Sequence, residues 1–214
     1  MQQDGVPLSV DFTLYLITDR TQTAPPLPEA VQSALRGGVR AVQLREKDLP
    51  VRELLSLARE LRGITKTFQA KLFVNDRVDV ALAADADGIH LGQMSMPVSA
   101  VRKIVGQDMM IGVSTHNLYE ARDAEAGGAD FITVGPIFAT SKKMQYGSPT
   151  GVEIINVVKQ RIKIPVFGLG GITRDTLAQV VQAGANGVAL ISAIFAADDI
   201  QKASRDILDA LQRT

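Results

Sequence analysis

The side chains able to do chemistry come in short polar groups, each at the end of an apolar run. Gln43, Arg45 and Lys47 stand at the end of one run, Asn75 and Asp76 at that of another, and Ser114 and His116 at that of a third. Arg45, Lys47, Lys142 and Lys143 are four cations that singly read as surface charge. Gathered at one opening they would suit a multiply charged anion such as pyrophosphate, because guanidinium and ammonium groups neutralise phosphate oxygens. Asp76 with Asn75 suits magnesium, which takes one or two carboxylates and fills its shell with water and phosphate oxygens. The same pair could instead cap the helix expected over 77–84. Gly170 and Gly171 precede a helix expected from Thr173, and Ile191-Ser192 opens the next segment. That is a phosphate-site pattern, since glycine lets the backbone approach an anion and helix N-termini offer free N–H groups. Ser114 can donate a hydrogen bond to a ligand. It is a poor nucleophile candidate, because no acidic group to orient His116 is evident. His116, just past its run, could serve as acid or base. His90 lies inside a run and reads first as a packed core residue.

The elements that must position these groups follow from periodicity. Apolar runs of strand length occur at 14–18, 41–44, 72–75, 88–91, 110–114, 131–134, 165–168 and 187–191. Each is followed by enough chain for a helix. The clearest is Pro50 to Arg62, with Leu54, Leu55, Leu57, Ala58 and Leu61 on one face. Eight units in 214 residues is about 27 residues per unit, near the lower bound for an eightfold β/α barrel. The segments GGVRAVQL, ADADGIHL, GGADFITV and AGANGVAL fall at the second, fourth, sixth and eighth runs and share one plan. A helix ends, usually at glycine, and a buried strand begins after a short turn. The expected fold is a single (β/α)8 TIM barrel over 13–214, with residues 1–12 as a loose arm and 21–28 as a loop before the first helix. In such a barrel all the polar run ends converge on one rim, where catalytic groups sit.

Composition narrows the classes. Lys plus Arg and Asp plus Glu both number 23, so the basic excess of a nucleic-acid binder is missing. Cysteine is absent, which excludes disulfides, thiolate nucleophiles and Cys-ligated zinc or iron–sulfur clusters. The longest apolar stretch, Val188 to Ala197, is about half the roughly 20 residues of a spanning helix. The N-terminus lacks a basic-then-apolar signal pattern. The expectation is a soluble cytoplasmic protein acting on small molecules; the sequence sets no oligomeric state, and a homodimer is allowed.

The ordered set LYLITDR, VQLREK, FVNDRVDVA, DGIHLGQ, IGVSTH, GADFITVGPIFAT, KK, PVFGLGGI and AGANGVALISAI runs from Leu14 to about Ile194. As a set it resembles the thiamine-phosphate synthase family, which shares its fold with the thiazole tautomerases. The resemblance implies coupling of a hydroxymethylpyrimidine diphosphate with a thiazole phosphate, through a pyrimidine carbocation, to thiamine phosphate and pyrophosphate. It implies a pyrimidine diphosphate site at Gln43, Arg45, Lys47, Asn75, Ser114 and Lys143, and Asp76 as a magnesium ligand. It places the thiazole phosphate against Thr140, Ser141, Lys142, Gly171, Ile191 and Ser192. Lys143, Ser114 and Arg45 would act on the departing diphosphate.

The chain departs from the family pattern in three places. Ser95 stands where a second magnesium-binding Asp is usual. The loop reads ATSKK, with Lys142 in place of a hydroxyl residue, and Tyr146 to Pro149 is unlike the commonest form. The retained QLREK and NDR favour the synthase, because both serve a diphosphate and its metal. The alternatives are a thiazole tautomerase using His116, and a non-catalytic regulatory binder of a phosphate ligand.

Overall fold

The structure, a computed structural model, describes residues 9–140 and 148–214. Eight parallel strands close into a barrel in chain order. They are β1 (Leu14–Ile17), β2 (Ala41–Leu44), β3 (Lys71–Asn75), β4 (Gly88–Leu91), β5 (Met110–Thr115), β6 (Phe131–Val134), β7 (Val166–Leu169) and β8 (Gly187–Leu190). Among the described residues the helices are α1 (Leu27–Arg36), α2 (Val51–Thr67), α3 (Val78–Ala83), α4 (Val98–Val105), α5 (Leu118–Ala126), α6 (Glu153–Lys159), α7 (Leu177–Gln182), α8 (Ser192–Phe195) and α9 (Ile200–Gln212). The expected single TIM barrel is therefore the observed fold, and each strand lies within one residue of its expected bounds. The loop expected at 21–28 carries a 3-10 turn at Arg20–Gln22, and α1 already begins at Leu27.

Successive strand residues point to opposite faces, so each strand feeds two cores. The outward residues pack on the helices in a layer rich in Leu, Val, Ile and Ala. The inward residues Tyr15, Ile17, Ala41, Phe73, Met110, Phe131, Phe167 and Ala189 fill the barrel. Large and small residues face one another across neighbouring strands. Phe73 pairs with Gly88, Gly112 with Phe131, and Phe167 with Gly187. A Cβ on Gly88 would lie 2.3 Å from the Phe73 ring, and one on Gly112 would lie 2.4 Å from Phe131. These glycines are spaces for neighbouring rings, a role separate from that of the glycines that end helices. Phe12, which the sequence assigned to the arm, is buried and meets Tyr15, Phe73, Phe131 and Phe167 at ring centroid distances of 5.3–5.9 Å. Residues 1–8 of that arm lie outside the described residues.

The internal echo has a side-chain cause as well as a glycine one. Gly38, Gly128, Gly184 and Asp85 take positive φ just past their helices, the left-handed conformation expected there. One residue before β4, β6 and β8 begin, a side-chain acceptor clasps the start of the preceding strand. Asp87 accepts from Leu72 N at 2.8 Å and Arg62 Nη1 at 2.7 Å. Asp130 accepts from Ile111 N and Arg102 Nη2, both at 2.6 Å. Asn186 accepts from Val166 N and Lys159 Nζ, both at 3.0 Å. Each clasp ties an even strand, an odd strand and the helix behind them.

Candidate active site

The polar run ends gather at the C-terminal rim, as the barrel requires. The loop after β2 is anchored by Glu46, which is buried and accepts from Thr18 Oγ1 at 2.6 Å and from Arg20 Nη1 at 3.0 Å. Arg20 also grips Asp48 through two contacts of 2.6 Å. This pairing raises the Arg20 guanidinium pKa further and holds the Asp48 carboxyl below its usual range. Thr18 Oγ1 accepts from Arg45 N at 2.9 Å. Together these contacts fix the segment that carries Arg45, half-buried, and Lys47, exposed. Glu46, Arg20 and Thr18 have no role assigned from the sequence; Glu46 merely separates Arg45 from Lys47, and Thr18 and Arg20 lie at the end of the first run.

A cavity of about 230 Å³ opens between the loops after β2 and β3, lined by Glu46, Lys47, Asn75, Asp76 and Arg77 among others. The alternative use of Asn75-Asp76 as a helix cap is not what the structure adopts. Helix α3 begins at Val78, its N-terminal flanking residue is Arg77, and no side chain caps it. Asp76 instead sits at a positive φ of 66° with its carboxylate exposed and in contact with the Ser95 hydroxyl. Ser95 Oγ also accepts from Gly92 N at 2.6 Å. The residue at 95 therefore does face Asp76. Among the described residues no group of three or more His, Cys, Asp or Glu forms a metal cage. Asp76 with the Ser95 hydroxyl offers hard oxygen donors at an open rim, which fits an ion that keeps waters and phosphate oxygens and does not need an all-protein shell.

The barrel centre holds a chain of buried polar groups under this rim. Gln43 Nε2 donates to Tyr15 Oη at 3.2 Å, and Tyr15 Oη lies 3.3 Å from His90 Nδ1. His90 Nε2 lies 2.9 Å from Ser114 Oγ, and Thr133 Oγ1 donates to Ser114 Oγ at 3.4 Å. Burial pushes the His90 pKa down to about 3, and the Arg45 charge acts in the same direction. Burial pushes the Tyr15 phenol well above its usual value, partly offset by the Gln43 hydrogen bond. His90 is thus a buried, neutral core residue, as expected, but one joined to Ser114.

At the neighbouring strand end His116 does have an acidic partner, which corrects the expectation that none would be found. Glu120 Oε2 lies 2.9 Å from His116 Nδ1 and accepts from His116 N at 2.7 Å. The signal was present in the sequence, because Asn117 followed three residues later by Glu120 is a capping pair whose acid reaches back over the start of α5. The turn after β7 holds Gly170 at φ 97° and Gly171 at φ 65°. A Cβ on Gly171 would lie 2.5 Å from Ala139 O, so the turns after β6 and β7 are packed backbone on backbone. The helix expected from Thr173 starts only at Leu177, because Thr173 N donates to Thr176 Oγ1 at 2.9 Å in a preceding turn. After β8 the short helix α8 starts at Ser192, directly beyond Ile191. Thr140 is half-buried at the end of the described part of the loop after β6, whereas Ser141, Lys142 and Lys143 lie outside the described residues.

A family model described as thiamine monophosphate synthase matches residues 14–194, the whole run from β1 into α8. The chain belongs to the thiamine monophosphate synthase family. A relative from Geobacter sulfurreducens is 52% identical over 203 residues, 94% of this chain and 95% of its own. A relative named thiamine-phosphate synthase from Moorella thermoacetica is 45% identical, covering 94% of this chain and 97% of its own. The solved thiamine phosphate pyrophosphorylase from Pyrococcus furiosus superposes with a TM-score of 0.87 at 39% identity, over 94% of this chain and 96% of its own. For a thiamine monophosphate synthase family member, the match ends close to the last expected site residue, Ser192.

Proposed function

We propose that this chain couples a hydroxymethylpyrimidine diphosphate with a thiazole phosphate, giving thiamine phosphate and pyrophosphate. The observation that carries the reading is the meeting of Lys47, Asn75 and Asp76 on one cavity, beside Arg45, in a member of this family. A cationic wall and a carboxylate at one rim suit a diphosphate leaving group. In the reaction the bond from the pyrimidine methylene carbon to the diphosphate oxygen breaks, and its electron pair leaves with the oxygen. The thiazole nitrogen then donates its lone pair to the methylene carbon. Because charge separates in the first step, the residues that meet the developing anion supply the acceleration. Arg45, Lys47 and Lys143 take that role, with Gln43, Asn75 and Ser114 orienting the pyrimidine diphosphate. Thr140, Ser141, Lys142, Gly171, Ile191 and Ser192 hold the thiazole phosphate, so that its nitrogen is already aimed. Asp76 and Ser95 would hold a magnesium ion, which when bound screens the charge of the diphosphate.

A second reading, thiazole tautomerase, draws support from the His116–Glu120 pair, since an oriented imidazole is a competent proton carrier. One assay separates the readings. Purified chain is mixed with both substrates, with and without magnesium, and thiamine phosphate is measured. Magnesium-dependent product is expected. A folded chain giving no product overturns the coupling reading; turnover of a carboxylated thiazole phosphate would then favour the tautomerase, and binding without turnover a regulatory role.

A further inference from the structure

The buried chain from Gln43 to Ser114 has a direction. The amide nitrogen of Gln43 can only donate, so Tyr15 Oη accepts from it and keeps its own proton to give. The other neighbour in reach of that proton is His90 Nδ1, at 3.3 Å. A neutral imidazole that accepts at Nδ1 carries its proton on Nε2. Nε2 lies 2.9 Å from Ser114 Oγ, which therefore accepts from His90, and Thr133 Oγ1 donates to the same oxygen. With both lone pairs engaged, the Ser114 hydroxyl has only its proton left to offer. The reverse order would turn the amide oxygen of Gln43 to Tyr15 and present Ser114 lone pairs to the rim, where they would repel a phosphate oxygen.

We infer that His90 is a positioning residue, locked by Tyr15 and Gln43 as its Nε2–H tautomer, which makes Ser114 a one-way donor toward the anionic substrate. This rests on the reading of Ser114 as a substrate contact. Neither His90, Tyr15 nor Thr133 need touch the substrate to act in this way. Burial suits the device, because hydrogen bonds in a low-dielectric interior polarise one another.

The chain has only two histidines, so ring-nitrogen NMR on labelled protein, assigned with His116→Gln, reports His90 directly. The expected spectrum shows a protonated Nε2 and a bare Nδ1, unchanged across the pH range of activity. Tyr15→Phe removes one oxygen and keeps the aromatic core; it should mix the tautomers and lower kcat by about tenfold, with a smaller change in KM. In a Ser114→Ala background the same substitution should cost nothing further. A protonated Nδ1, or an equal Tyr15→Phe loss with and without Ser114, overturns the relay while leaving the coupling reading intact. Full activity of Ser114→Ala would instead remove the substrate contact, whatever the tautomer. His90→Gln gives a second route to the same cycle if Tyr15→Phe folds poorly.

Discussion

At the scale of single residues, Ser95 and His90 make different demands. Ser95 shares the Asp76 carboxylate, so Ser95→Asp would place two carboxylates side by side at the rim. Their repulsion is relieved when a divalent cation binds between them. The expected result is tighter magnesium binding by titration calorimetry, by about tenfold; an unchanged affinity would mean that position 95 does not face the ion. His90 contributes to stability through its depressed pKa. The unfolded chain takes up a proton near pH 6.5 and the folded one only near pH 3, so the unfolded state binds more protons across that window. Stability attributable to His90 is complete above about pH 6.5 and falls on acidification, by up to about 1.4 kcal/mol per pH unit. Urea titrations from pH 7 to pH 4.5 should show a shallower acid decline for His90→Gln than for the parent chain. Gln43, Arg45, Lys47 and Asp76 were legible as candidates because charged or amide groups at run ends are conspicuous. Tyr15 was not, because an aromatic ring in a strand reads as core and only the barrel's closure brings its hydroxyl to His90.

At the scale of elements, the clasps at Asp87, Asp130 and Asn186 explain why the strands keep their register. Each clasp gives a strand-start N–H an acceptor and pairs that acceptor with a cation from the helix behind. Asp130→Ala removes the acceptor that Ile111 N and Arg102 Nη2 share at a half-buried point, leaving Arg102 its bonds to Gly128 O and Met109 O, and should cost about 2–3 kcal/mol in urea unfolding. Asp130→Asn keeps an acceptor oxygen and should cost about half as much; equal losses would show that the ion pair alone matters. The four echoes were visible in the sequence, and their spacing marked the even strands. Their cause was read as glycine alone, since the strand-start N–H that Asp130 serves is 19 residues away and only parallel pairing delivers it. Helix ends were less legible than strands. The expected helix from Thr173 starts four residues later, because a threonine can close a local turn with its own hydroxyl as readily as it can open a helix.

At the scale of the whole molecule, eight strand-length runs with helical spacers led to the barrel, and closure then set the rim. The part that pattern could not supply was the base, because Phe12 stands outside any periodic run. Phe12→Ala should cost about 3–5 kcal/mol, read as a lower urea midpoint with the slope retained. A loss under about 1 kcal/mol would mean the aromatic cluster closes without it. That cluster also has a consequence for traffic. With Phe12, Phe73, Phe131 and Phe167 filling the lower half of the barrel, aromatic rings plug its base. Passage of a ligand through the base is thereby blocked, and exchange has to take place on the side of the rim.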